Sequence, residues 1–294
     1  MSFDDGKTVH EYLHNTIVII EAAGVTGFCV NTGVFNFIPN FHRDFTPFSS
    51  ATRPLTLAVV PQLLAIQKLA DIHKGTGMVC GDVMQDEYTE QLFAAMFVHP
   101  ESRVLELGCN VGRSTLNLSR ILRDSRNLVG LECSVHTDIW PRLVENLKMN
   151  GSHARVFNVA LSSRKLIQQG WLTRVSDTLP EGWTKVPTLT WSELKATTNC
   201  LPFNTLVVDC EGALYQILID FPDILNGIHT VIMENDYETI VQKQYVDKKL
   251  RGVGLLPVYS LSFPTPLPCA LVFYEVWKTR EGLGLSTEPQ LVPF

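Results

Sequence analysis

Six acidic residues stand where short apolar runs end. Glu106 lies in "RVLELG", Glu132 closes "LVGLE", Asp209 and Glu211 follow "TLVV", and Glu234 and Asp236 follow "TVIM". In an open parallel sheet, ligands bind beyond the carboxyl ends of the strands, so acids at strand tips face the crevice. Between the first two acids runs the loop Gly108, Cys109, Asn110, Val111, Gly112. Glycines let backbone pass close to a ligand. A carboxylate at the head of such a loop repels a pyrophosphate but suits a cationic tail, directly or through water. Glu132 comes 20 positions after Gly112, where an acid that holds ribose hydroxyls is expected. One carboxylate can accept two hydroxyl protons. Read alone, Glu132 is better taken as an exposed strand-end acid; with Glu106 and the loop at this spacing, the ribose role is expected.

The elements that would position these groups follow from periodicity. The stretch "LAVVPQLLAIQKLADIHKG" reads as a helix stopped by Gly75. From "DEYTEQLFAAMFV" onward, helices and strands alternate. A helix precedes a strand at 103–107, a helix near 114–123 and a strand at 127–132. A further helix spans 139–149, with Pro141 near its start and Gly151 past its end. A strand at 154–160, a loop-rich stretch and the helix "TWSELKA" come next. Strand "TLVVD", a helix from Ala213, strand "TVIMEN", another helix and the pair "LLPVYSLS" and "CALVFYEVW" complete the chain. Such alternation predicts an α/β fold with a mostly parallel sheet covered on both faces and a C-terminal antiparallel hairpin. Two parts follow: an N-terminal extension, residues 1–85, and a domain over 86–294.

Bulk properties narrow the class. The chain has 294 residues, 45% of them hydrophobic, enough for a sizeable core. Acidic residues outnumber basic ones, 30 to 24, without a Lys/Arg cluster, which disfavours a nucleic-acid partner. Seven cysteines without a C-x-x-C pair read as reduced thiols of a cytoplasmic protein. The acidic start and the apolar run broken at Glu21 predict neither signal peptide nor membrane span.

Three templates compete for the glycine loop. The dinucleotide pattern G-x-G-x-x-G fails because Asn110 replaces the second glycine, which would admit a pyrophosphate. The NTPase loop G-x-x-x-x-G-K-[ST] is one residue too long, and Arg113 stands in place of its lysine. The pattern [DE]-x-G-x-[GN]-x-G fits Glu106, Gly108, Asn110 and Gly112 without a gap. It is the glycine loop of S-adenosylmethionine-dependent methyltransferases, whose cofactor lacks phosphate and carries sulfonium and ammonium charges. Four further segments resemble the FkbM-type methyltransferases: "RLVENLKMNG", "FNVALSS", "PTLTWSELK" and "LVVDCEGALYQIL" with its D-x-E-G core. The resemblance covers roughly half the chain. It implies the Rossmann-like class I methyltransferase fold, a seven-stranded sheet with a reversed last strand. It also implies S-adenosylmethionine as cofactor and an oxygen of a sugar, glycan or small metabolite as acceptor. Glu106 stands where Asp is common, Cys109 where Ala is usual, and Leu214 where the family often has an acid.

Methyl transfer to a hydroxyl needs alignment and removal of a proton. Asp209 is the first candidate for general base, or for a ligand of a metal that acidifies the hydroxyl; Glu211 is the second. Either acid alternatively caps the helix that follows. With Asp209, the segment Glu234, Asn235, Asp236 could offer an oxygen-rich site to Mg²⁺ or a similar ion, a question left open. Cys133 and Ser134, with Asn158 and Ala160, are candidates to border the adenine. No Asn/Asp-Pro-Pro-aromatic motif follows "LVVD", which argues against amino methylation of bases. A cofactor-binding or scaffold protein without turnover and an RNA or protein methyltransferase are the competing readings. His10, Glu11 and His14 spell H-E-x-x-H, but no third zinc ligand pattern follows, so surface histidines are expected. The aromatics Phe28, Phe35, Phe37, Phe41, Phe45 and Phe48 fit an acceptor lid, a packing layer or a contact between copies of the chain.

Overall fold

The computed structural model describes residues 56–198 and 202–283. The H-E-x-x-H stretch and the N-terminal aromatics lie outside the described residues. The chain divides into two units between Gly75 and Thr76. In the first, helix α1 (Thr56–Lys74) ends where Gly75 N–H bonds the carbonyls of Asp71 and Ile72.

The second unit begins with α2 (Tyr88–Phe97) and then alternates: β1 (Val104–Leu107), α3 (Arg113–Ile121), β2 (Leu128–Leu131), α4 (Ile139–Met149) and β3 (Arg155–Phe157). After an insertion come α5 (Trp191–Thr198), β9 (Thr205–Val208), α6 (Leu214–Asp220), β10 (Thr230–Glu234), α7 (Ile240–Gly252), β11 (Leu256–Leu261) and β12 (Tyr274–Lys278). The main sheet has seven strands in the order β11-β12-β10-β9-β1-β2-β3. Strands β3, β2, β1, β9 and β10 run parallel, and β12 is antiparallel to both β10 and β11. A sheet that reverses its order beside the first strand and carries one inverted strand near its edge is the Rossmann-like methyltransferase architecture. The site-forming crevice lies where the order reverses, between β1 and β9.

Strands β1, β2 and β9 are buried at every position, which is why they read as continuous apolar runs. Alternate residues serve two layers. Leu105, Leu107, Leu206, Val208, Val231 and Met233 join Leu194 of α5, Leu218 of α6 and Val246 of α7 in the principal core. Each such fully buried side chain stabilises by about 1.5–3 kcal/mol. The opposite face carries Glu106 and meets α2 and α3, where α2 packs on α3, β10 and β12.

The stretch read as loop-rich is a small sheet. Strands β5 (Leu166–Gln169), β6 (Leu172–Val175) and β7 (Thr184–Val186) pair antiparallel. The expected strand at 154–160 also splits. After β3 the chain leaves the main sheet as β4 (Ala160–Leu161), which pairs with β8 (Thr188–Leu189). Among the described residues no helix is long and apolar enough to cross a membrane, and the five described cysteines are free.

Candidate functional site

The glycine loop is shaped first by the protein's own backbone. Gly108 has φ 91°, and a Cβ there would lie 1.6 Å from the Asp209 carbonyl oxygen. This glycine therefore lets the tips of β1 and β9 meet. Gly112 has φ 99°, and its Cβ would come 2.9 Å from Leu143 Cδ1 of α4. Asn110 takes φ 46°, a left-handed value that Asn tolerates better than most residues.

Glu132 ties the loop to the next strand. Its Oε2 accepts from Asn110 N–H and its Oε1 from Ser134 N–H, both at 2.6 Å. It is buried at the tip of β2, so it is not the free surface acid of the alternative reading. Each oxygen keeps a second lone pair for a ligand hydroxyl. Asn146 of α4 supports the loop from behind by donating to the Val111 carbonyl at 2.8 Å.

Glu106 lies beneath the loop. It is 1% exposed, its Oε2 accepts from the Cys109 thiol at 3.6 Å, and its Oε1 has no hydrogen-bond partner. Burial pushes its pKa up to about 8, opposed by Thr115 and Cys109. Cys133 is half-buried; burial and the Glu132 charge push its thiol up to about 12. Asn158 is exposed just past β3, and Ala160 opens β4. Phe157 O accepts from Glu132 N–H at 3.0 Å, so this segment borders the Glu132 loop.

Asp209 and Glu234 are the next residues of neighbouring parallel strands, one step past the registered pair Val208 and Met233. Glu90 of α2 completes a group of three: one carboxylate oxygen from each lies within 4.8 Å of the others. Glu90 is 4% exposed; its Oε2 accepts from Ser114 Oγ at 3.2 Å, and its Oε1 has no partner. Burial, then the neighbouring carboxylates, raise the pKa of Glu90 and of Asp209 well above the usual range. Burial and Asp236 push Glu234 up to about 7, while Glu90 and Tyr274 oppose the shift.

Glu211 is exposed at φ 53° on the outer rim, and burial and its charge push Asp236 up to about 6. Gly212 at φ 76° brings this loop against the next; a Cβ would lie 2.9 Å from the Asp236 carbonyl. Neither Asp209 nor Glu211 caps α6. Its N-cap is Ala213, without a side-chain cap, and Ala213 N–H bonds the Cys210 carbonyl at 3.1 Å. Asn235 is not part of the group. It points to the opposite face and donates to Val272 O and to Glu275.

Sequence reading missed the contribution of the segment before β1. Arg113 bonds Asp86, Glu87 and the Val83 carbonyl, and Glu87 accepts from Asn110 Nδ2 at 3.3 Å. Arg142 pairs with Asp82, while Asn146 and Asn150 hold Val79 and Gly77. Glu87 stands at φ 62° just before α2 and Glu90 in its first turn, and no local spacing marks either as part of the site.

No protein-family model matches the chain, and no curated protein is found similar to it in sequence, so the FkbM resemblance rests on its motifs alone. Solved structures resemble its chain path. A putative O-methyltransferase from Klebsiella pneumoniae is similar at TM-score 0.38 and 15% identity, covering 74% of this chain and 89% of its own. Fibrillarin from Aeropyrum pernix, a complex with S-adenosyl-L-methionine, gives 0.41 and 12%, covering 66% and 74%. A putative tRNA (m1A22) methyltransferase from Streptococcus pneumoniae gives 0.39 and 13%, covering 69% and 75%.

Proposed function

We propose that the chain is an S-adenosylmethionine-dependent methyltransferase acting on an oxygen of a sugar, glycan or small hydroxylated metabolite, as the FkbM resemblance implies. The observation that carries this reading is the lining of the crevice. Its tips present Glu132, Asp209, Glu211, Glu234 and Asp236, with Glu87, Glu90 and Glu106 behind them. The one arginine on the glycine loop, Arg113, is engaged by Asp86 and Glu87. Such a lining disfavours phosphate and favours a cationic, phosphate-free donor.

The residues present fit that donor. Glu132 is fixed by two amides and has lone pairs left for two ribose hydroxyls. The half-buried Cys133 and the segment Asn158–Ala160 border the place for its base. When bound, S-adenosylmethionine supplies the electrophilic methyl group. The protein's work is to align the acceptor, a factor of about 7–11 kcal/mol, and to take its proton, worth roughly 10²–10⁴-fold. Asp209 is assigned the proton because it sits at the reversal of strand order with a raised pKa, which makes it a stronger base than an ordinary aspartate. Glu211, on the exposed rim, is the second candidate.

Calorimetry with S-adenosylhomocysteine, NAD and ATP tests the donor. Binding of the first alone is expected; tight binding of NAD or ATP with S-adenosylhomocysteine ignored overturns the reading. Glu132→Ala is expected to abolish nucleoside binding. Asp209→Ala is expected to keep binding and stop transfer in a panel of sugars and phenols. Donor binding without turnover on any acceptor would favour the scaffold reading.

A further inference from the structure

We infer that Glu90, Asp209 and Glu234 form a site for one hard divalent cation, Mg²⁺ or Mn²⁺, at the tips of β9 and β10. Asp209 and Glu234 alone would be two strand-tip acids. Glu90 is the separate observation. It arrives from α2, is 4% exposed, and turns an oxygen toward both of them. Ser114 occupies its Oε2, and its Oε1 has no hydrogen-bond partner. A buried carboxylate oxygen left without a donor is costly, and a cation satisfies it.

The donor set selects the ion. Three carboxylates without His or Cys suit Mg²⁺ and Mn²⁺ rather than Zn²⁺. Ligands on opposite sides of Mg²⁺ stand about 4 Å apart, given bonds of roughly 2.0–2.1 Å. The three oxygens, already within 4.8 Å of one another, need only a small inward movement. Among the described residues, no lysine or arginine forms an ion pair with any of the three. The competing way to relieve the group is a proton shared between Glu90 and Glu234, which are close enough to hydrogen-bond. The inference stands on carboxylate geometry alone and gives Asp209 its other weighed role, a ligand of the ion, in place of general base when the ion is bound.

The full chain, stripped with EDTA, is titrated with Mn²⁺ at pH 8, and free ion is counted by electron paramagnetic resonance. About one Mn²⁺ per chain is expected, displaced by Mg²⁺. Losing groups that merely orient metal ligands costs about 10–100-fold in affinity. Glu90→Gln and Asp209→Asn should therefore each weaken Mn²⁺ at least about ten-fold. Asp177→Asn, which removes an exposed acid paired with Lys165, should bind like the parent. Circular dichroism verifies folding, and Asp209→Asn carries the test if Glu90→Gln does not fold. No Mn²⁺ bound at millimolar concentration, or unchanged affinity in a folded variant, overturns the site and leaves the shared proton. Calorimetry with S-adenosylhomocysteine on the same stripped protein keeps the two readings apart. Donor binding without Mn²⁺ removes this inference only, and Mn²⁺ binding without donor removes the other only.

Discussion

Two charge groups flank strand β10, one on each face and each with buried members, and they are built on opposite rules. On the α7 side, Lys243 pairs with Glu275 at 2.8 Å and with Asp247. Glu275 also accepts from Asn235 Nδ2 at 3.1 Å and Trp277 Nε1 at 3.0 Å. On the α2 side, Glu90, Asp209 and Glu234 meet only further like charge, from one another and from Glu87 and Asp236, with Ser114 donating to Glu90. Adjacent residues divide the two: Glu234 faces the acids and Asn235 faces the lysine, as strand alternation requires. A buried ion pair supplied with hydrogen bonds on both partners is a structural solution. Three converging acids, one buried and two half-buried, with no cation are not, and such uncompensated groups mark candidate functional sites. The sign of the charge balance separates scaffold from site.

The largest effect should come from unbalancing the balanced group. Lys243→Met leaves the buried Glu275 and the half-buried Asp247 without their cation, and removing one partner of a buried pair such as Lys243–Glu275 costs about 3–5 kcal/mol. Urea unfolding at pH 8 measures it. Glu234→Gln, on the other face, removes a repelled charge and should be neutral or stabilising in the same assay. A Lys243→Met cost below about 1 kcal/mol, or an equal loss in Glu234→Gln, would break the contrast.

The next effect is a slope with pH. Burial first, and then Asp236, raise Glu234 from 4.5 to about 7; burial raises Asp236 from 3.8 to about 6 and Glu106 from 4.5 to about 8. A carboxyl raised in the folded state binds its proton more tightly than in the unfolded chain. Its contribution is complete below the unfolded pKa and is lost as pH climbs through the folded one. In EDTA, stability should therefore fall between about pH 5 and pH 8, by on the order of 2 kcal/mol for Glu234 alone. Urea midpoints at four pH values measure the slope. Glu234→Gln should flatten it, and Mg²⁺ should flatten it in the parent. A stability that rises over this window means that the acids are paired after all.

The contrast also explains what was legible in the sequence. The strand tips were, because fully buried parallel strands are continuous apolar runs and the next residue must turn: Glu132, Asp209 and Glu234 were placed on that ground alone. The boundaries of α4 were equally plain, with Pro141 inside the start and Gly151 beyond the end. The small sheet β5–β7 was not. Its strands are three or four residues long and mostly exposed, so no apolar alternation marks them. The one cue was Gly170, at φ 57° between "LIQQ" and "LTRV". Glu90 was invisible for another reason. Its meeting with Asp209 depends on how α2 packs against β10, a contact across more than a hundred residues that no local spacing encodes. The loop glycines have a cause within the protein itself: Gly108 is required by the backbone of Asp209 before any ligand enters.

The smallest effect tests the physical basis of the contrast most directly. Tyr274 lies opposite Glu234 in the β10–β12 ladder, and its hydroxyl holds down the pKa of that carboxylate as a nearby donor does. Its ring packs edge-on against Phe93 at 6.4 Å and Phe273 at 4.8 Å, contacts that Tyr274→Phe retains. What the variant loses is the hydroxyl that favours the Glu234 carboxylate, a donor worth about 1 kcal/mol and more when the acceptor is ionised. Glu234 is protonated at pH 5 and largely ionised at pH 8, given its pKa of about 7. The cost of Tyr274→Phe should thus be greater at pH 8 than at pH 5, by roughly 1 kcal/mol. Removing the donor should also raise the pKa of Glu234 further, shifting the stability slope to higher pH. Urea unfolding of parent and variant at both pH values reads the difference. Equal costs at the two pH values would show that Glu234 does not change charge in this range, and the acid group would then be as settled as the lysine network behind it.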